Sequence, residues 1–147
     1  KPGRPNMFGL VQGEANAIAP GKRMLSSMTQ TIVLDSAGSP MLVTGAQGGP
    51  TIISTTYQIM SNVIDYGMDI GMAVRAPRVH EQHLPDSLYY ERDGLTTATI
   101  DALRAMGYAL APVSAHGDLG FGPSILRRAG EVQGAYDPRV SGSAEGF

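Results

Sequence analysis

Two short pairs of residues could carry chemistry in this chain. One is Ser26-Ser27, within Leu25-Ser26-Ser27-Met28; the other is Gly48-Gly49, within Gly45-Ala46-Gln47-Gly48-Gly49-Pro50. Adjacent hydroxyls can donate two O–H bonds to one carboxylate. Glycines at the start of a helix let an oxygen approach their N–H groups closely. Those first N–H groups lack internal partners and lie at the positive end of the helix dipole. Two such donors aimed at one point would form an oxyanion hole for acyl transfer. Each pair also has a structural reading. The serines can bond to their own backbone at a strand entrance, and the glycines can simply permit a tight strand-to-helix turn. Neither serine has a local base, so neither reads as an activated nucleophile.

Other candidates are weaker. Val43-Thr44-Gly45-Ala46 with Asp65 superficially suggests a dinucleotide fingerprint, but Gly45, Gly48 and Gly49 do not give the G-x-G-x-x-G spacing. His80, His83 and His116 lack the spacing of a metal site, because Pro77 and Pro85 oppose a long helix around the first two. They are expected to be structural or surface residues, with no metal and no cofactor. Asp137-Pro138-Arg139 reads as a turn with an ion pair that fixes the end of the chain. Met24, Met28, Met60, Met68, Met72 and Met106 read as core fillers.

The elements that must position these residues follow from pattern. Thr31–Leu34 and Met41–Thr44 are β-rich runs separated by Asp35-Ser36-Ala37-Gly38-Ser39, a turn sequence, so they predict a hairpin. Both runs are nearly all apolar, which predicts cover on both faces. From Thr51 to Tyr66 the period becomes helical, with Ile52, Ile53, Ile59, Met60, Val63 and Ile64 on one arc. Pro50 suits the first turn and Gly67 the end. A short helix is expected over 69–75, short strands over 78–80 and 87–90, a helix over 97–106, a strand over 108–113, and a final hairpin from 123–127 to 131–135. Hairpins outnumber crossovers, so an α+β fold with a mostly antiparallel sheet and two main helices is expected.

Composition limits the function classes. The 147 residues are 42% hydrophobic and 16% charged, enough for one domain with a core and unlike a disordered chain. The net charge of −2 provides no basic patch for nucleic acid. The absence of cysteine excludes disulfides and thiolate chemistry. No apolar run approaches the ~20 residues of a membrane span. Lys1-Pro2-Gly3-Arg4-Pro5-Asn6 has no signal-peptide core and no initiator Met, so the chain is expected to begin inside a longer precursor.

An ordered series of short motifs then becomes specific. It comprises Asn16-Ala17-Ile18-Ala19-Pro20 with Lys22-Arg23, Leu25-Ser26-Ser27-Met28, Thr31-Ile32-Val33, and Val43-Thr44-Gly45 with Gly48-Gly49. It continues with Asn62-Val63-Ile64-Asp65-Tyr66-Gly67-Met68, Ala76-Pro77-Arg78-Val79-His80, Gln133-Gly134-Ala135 and Asp137-Pro138-Arg139. Along nearly its whole length the chain resembles the C-terminal part of the small subunit of gamma-glutamyltransferases. Residues 1–147 would be a single partial domain.

The resemblance implies an N-terminal-nucleophile hydrolase fold, a four-layer αββα sandwich. It also implies an autoprocessed precursor, whose new N-terminal threonine attacks a γ-glutamyl amide and passes the acyl group to water or an amine. Ser26 and Ser27 would bind the glutamyl α-carboxylate, and the Gly48 and Gly49 N–H groups would form the oxyanion hole. The nucleophile segment is absent here, and neither Thr29 nor Thr31 is at a processed terminus. The implied partners are therefore a γ-glutamyl small molecule, a large subunit and the missing N-terminal part of the small subunit, in a periplasmic or secreted setting. This chain alone would be inactive. Ala46-Gln47 stands where a Ser-Pro pair is common and Met24 where Pro is common, so a related amide acylase, for instance acting on glutaryl groups, is the alternative. A non-catalytic structural or interaction domain is a third reading.

Overall fold

The computed structural model describes residues 2–26, 28–113 and 119–146. The described residues up to 30 are irregular apart from one short 3-10 turn at Glu14–Asn16 and an isolated bridge between Pro5 and Val11. The hairpin follows as expected: β1 (Thr31–Leu34) pairs antiparallel with β2 (Pro40–Thr44). Asp35 makes its turn, because Oδ1 accepts from the N–H groups of Ala37 and Ser39, both at 2.9 Å. Two strands from the far end of the chain, β6 (Ser124–Arg128) and β7 (Glu131–Ala135), complete a sheet of order β1-β2-β6-β7.

One face of this sheet is covered by α1 (Thr51–Ile64) and α2 (Ile70–Arg75). Leu42 and Leu126 meet Ile59, Val63, Ile70, Ala73 and Val74 there, and these residues form the core. The helix ends have clear causes. Asp69 caps α2 by accepting from Met72 N–H at 2.8 Å. At the C-terminus of α1, Arg128 donates to the carbonyls of Val63 and Gly67, where a cation is favoured.

The second sheet, of order β3-β4-β5, is smaller. β3 (Val79–His80) pairs antiparallel with β4 (Leu88–Glu91), and β4 pairs parallel with β5 (Leu110–Val113) after a crossover through α3 (Thr97–Ala105). This βαβ unit is the one parallel pairing among the described strands, and antiparallel pairs predominate as expected. The sheet is tied to α1 by Gln58, whose carboxamide bonds both the N–H and the C=O of Val79 at 3.0 and 2.9 Å.

Three sequence expectations need correction. Ile32, Leu34, Val43, Ile125 and Val132 are exposed, so the β1-β2-β6-β7 sheet is covered on one face only. On α1, Ile52, Ile59 and Val63 are buried but Ile53 and Ile64 are exposed, because the apolar arc is wider than the strip that meets the sheet. Of the six methionines expected in the core, Met60 and Met68 pack on it, as does Met41, while Met24, Met28, Met72 and Met106 are exposed. No helix among the described residues is long and apolar enough to cross a membrane.

Ile59 is fully buried between the helices and the first sheet. Ile59→Ala should therefore cost about 3 kcal/mol through lost transfer energy and the cavity left behind, measured as a lowered denaturation midpoint.

Candidate active site

The Gly45–Pro50 loop links β2 to α1. Gln47 holds it from one side by exchanging two backbone bonds with Phe121, at 2.9 and 3.0 Å. After Gln47 the chain turns sharply, with φ of 151° at Gly48 and 61° at Gly49, conformations that favour glycine. The neighbours also exclude a side chain. A Cβ at Gly48 would lie 2.3 Å from Thr51 Oγ1, and one at Gly49 would lie 2.9 Å from the Phe8 ring. The Gly48 carbonyl accepts from Thr51 Oγ1 at 2.9 Å, which seats the first turn of α1. Among the described residues the N–H groups of Gly48 and Gly49 have no acceptor. Two adjacent free donors at a helix N-terminus fit a developing oxyanion.

Ser26 is exposed, and its Oγ accepts from Met28 N–H at 3.3 Å, the local bond of the structural reading. Ser27 lies outside the described residues, as does His116. The serine segment does lead toward the loop, since Thr29 and Gln30 pass against Gly45. Asp65 ends α1 and bonds Ser61, away from any dinucleotide geometry. His80 is buried and bonded to Ser54 and Gln82, whereas His83 is exposed. Among the described residues no three His, Asp or Glu side chains cluster as metal ligands.

Behind the loop lies a buried ionic cluster that sequence reading reached only in part. The expected Asp137–Arg139 ion pair is present at 3.0 Å, and the same Asp137 also pairs with Arg78 at 2.7 Å. Arg139 pairs in turn with Glu91. Arg78 is 2% exposed and Asp137 0%. Arg78 also donates to the carbonyls of Gly120 and Val74, at 2.7 and 2.9 Å, and Asp137 accepts from Gly122 N–H at 2.8 Å. The cluster thus fixes residues 120 and 122 on either side of Phe121, the partner of Gln47. Arg78, Glu91 and Gly120 were not legible as site residues. The Gly120-Phe121-Gly122-Pro123 run was the available signal for a close backbone approach.

The charges in this cluster perturb one another. Burial alone would raise the Asp137 carboxyl, but the Arg78 charge and bonds from Gly122, Arg78 and Arg139 outweigh it and hold the group below its ordinary value. Burial lowers the Arg78 guanidinium against the opposing pull of Asp137, and the like charge of Arg139 adds to the lowering. Burial would lower Arg139 too, but its bonds and charge pairing with Glu91 and Asp137 raise it.

Helices on a mostly antiparallel sheet make an α+β fold, and its likeness to solved gamma-glutamyltranspeptidases gives that fold as the N-terminal-nucleophile hydrolase one. The family described as Gamma-glutamyltranspeptidase matches residues 1–147, and the chain belongs to that family. It is 46% identical over 142 residues to a glutathione hydrolase proenzyme of Escherichia coli, covering 95% of this chain and 23% of that protein. The chain therefore spans about a quarter of that relative's length. A gamma-glutamyltranspeptidase of Pseudomonas nitroreducens, solved with L-DON, superposes with a TM-score of 0.88 and 41% identity, over 100% of this chain and 76% of that one. A Helicobacter pylori gamma-glutamyltranspeptidase mutant gives a TM-score of 0.87 and 45% identity, over 95% and 75%.

A carboxylate held below its unfolded value contributes stability that is complete above about pH 4 and is lost as pH falls through the folded value. Asp137→Asn leaves Arg78 buried without its counter-charge and should cost about 3–5 kcal/mol at neutral pH. The gap between the unsubstituted protein and the variant should narrow on acidification to about pH 3, measured by denaturation midpoints. A gap that does not depend on pH would contradict the assignment.

Proposed function

We propose that this chain is the C-terminal portion of the small subunit of a gamma-glutamyl transferase or hydrolase acting on glutathione-like amides. The observation that carries the reading is the Gly48–Gly49 turn, with two N–H groups lacking acceptors among the described residues at the start of α1. The nucleophile is a threonine at a processed N-terminus outside this chain. Its hydroxyl attacks the γ-carbonyl and gives its proton to the threonine's own amine. The carbonyl oxygen becomes an oxyanion facing Gly48 and Gly49. The C–N bond then breaks, and the leaving amine takes the proton. Water releases glutamate from the resulting ester, or an acceptor amine takes the acyl group. Ser26 and Ser27 bind the substrate α-carboxylate.

The exposed apolar face formed by Ile32, Leu34, Val43, Ile125 and Val132 supports a need for those further segments, namely the large subunit and the rest of the small one. It follows that this chain alone is inactive. The same reading places the mature protein in a periplasm or outside the cell. A related acylase is the second reading, favoured by Ala46-Gln47 ahead of the glycines.

The full-length protein should cleave itself and turn over γ-glutamyl anilides; absence of both would sink the proposal. Faster turnover of glutaryl amides than γ-glutamyl amides would favour the acylase instead. Replacing Ser26 and Ser27 together by Ala should raise KM at least tenfold, as about 1.5–3 kcal/mol of charge-assisted bonding is lost. An unchanged KM would remove their role. Gly49→Ala should instead lower kcat by about 10²-fold, because the donor is displaced from the oxyanion.

A further inference from the structure

The diglycine turn is restrained from two directions. Gln47 and Phe121 hold it through backbone bonds. On the other side stands the Phe8 ring, so close to Gly49 that a methyl there would meet two of its carbons at 2.9 and 3.1 Å. Phe8 sits in a closed turn, in which Asn6 Oδ1 accepts from the N–H groups of Phe8 and Leu10, at 2.9 and 3.1 Å, and Asn6 N–H donates to Leu10 C=O at 2.8 Å. The described hydrogen bond that carries this turn to the body of the fold comes from Gln82. Its Nε2 donates to Phe8 C=O and to Leu84 C=O, both at 2.9 Å.

These two bonds fix the orientation of the carboxamide. With both Nε2 protons committed to carbonyls, Gln82 Oε1 must be the atom that faces His80 Nε2, at 2.8 Å. Oε1 can only accept, so His80 Nε2 carries a proton. His80 Nδ1 is 2.9 Å from Ser54 Oγ on the second turn of α1. His80 is 6% exposed. A chain of side-chain bonds thus runs from the helix that begins at the diglycine turn, through Ser54, His80 and Gln82, to the residue whose ring backs Gly49.

We propose that Gln82, oriented by His80, is a positioning residue for the diglycine turn: it pins Phe8 against Gly49 and so keeps the Gly48 and Gly49 N–H groups in one alignment. The proposal rests on the reading of these groups as the oxyanion site. Misaligned donors weaken the transition state more than the bound substrate, since the charge they meet develops only during reaction. The signature is therefore a loss in kcat with KM retained, the opposite of that expected for Ser26 and Ser27.

The test uses the processed full-length enzyme with a γ-glutamyl anilide, and follows amide hydrogen exchange in parallel. Gln82→Ala should lower kcat about tenfold with KM within about twofold. Gln82→Glu keeps the size of the side chain but cannot donate to either carbonyl, and should do the same. His80→Gln can return a donor near the Nε2 position and should stay within about threefold of the unsubstituted kcat, while His80→Leu should match Gln82→Ala. In both Gln82 variants the N–H groups of Thr51 and Ile52, which bond to the Gly48 and Gly49 carbonyls, should exchange faster, together with those of Phe8 and Leu10. Faster exchange confined to Phe8 and Leu10, with kcat unchanged, overturns the proposal. If the unsubstituted enzyme fails to act on γ-glutamyl amides, the oxyanion reading falls, while exchange at Thr51 and Ile52 still decides whether Gln82 restrains the turn.

Discussion

Four charged side chains buried together demand a strict geometry. Arg78, Asp137, Arg139 and Glu91 form a continuous set of pairs, with spare donors spent on the carbonyls of Val74, Ala76 and Gly120. Removing one charge from water costs several kcal/mol, and only close pairing with every lone pair and proton satisfied recovers that. The cluster therefore tolerates little displacement of what it touches. It touches the end of α2, the end of β4, the strand entrance at residues 120–122 and the segment after β7.

The diglycine turn depends on this cluster indirectly. Arg78 holds the Gly120 carbonyl and Asp137 holds the Gly122 N–H, so Phe121 between them presents its backbone to Gln47 at a fixed place. Thr55 strengthens the same junction by donating to Leu119 C=O at 2.6 Å. The glycines can then leave the β2 ladder and enter α1 in conformations that a side chain would prevent. Among the described residues the Gly48 and Gly49 N–H groups have no acceptor, so their alignment must come from neighbouring bonds. Ionic pairs, backbone pairs and the Phe8 ring supply that alignment from separate directions.

Local physics made much of this legible in sequence. The Asp35 turn, the β1–β2 hairpin, the Pro50 start and Gly67 end of α1, and the last hairpin follow from short-range propensities, and the structure has them within a few residues. What failed was long-range. The apolar arc of α1 could not reveal which of its residues meet a sheet, so Ile53 and Ile64 were misplaced while Ile59 was not. Arg78 and Glu91 are 13 residues apart, and Arg78 and Asp137 are 59 apart. No periodicity marks a charge for burial when its partners are that distant. Gln82 was missed for the same reason, since its meaning lies in Phe8, 74 residues away. Read locally, the two glycines fit an ordinary turn as well as an oxyanion hole, and their place in an ordered series of family motifs favoured the chemistry.

The uncovered face of the first sheet runs up to the diglycine turn. Along β1 and β2 the residues alternate between the helix-covered side and a side where Ile32 and Val43 are exposed, the pattern of a sheet built to be covered twice. In a four-layer sandwich the second cover is another sheet. A shallow depression bounded by Ile32, Val43, Gln47 and Phe121 lies on this exposed side and borders the turn that ends in Gly48 and Gly49. Strands laid over the open face would therefore reach the rim of the diglycine turn as they covered the apolar surface. Burial of that surface and delivery of an attacking atom to the glycines would then be one event, so that a chain carrying the donors without the nucleophile would also be a chain with half its sheet exposed.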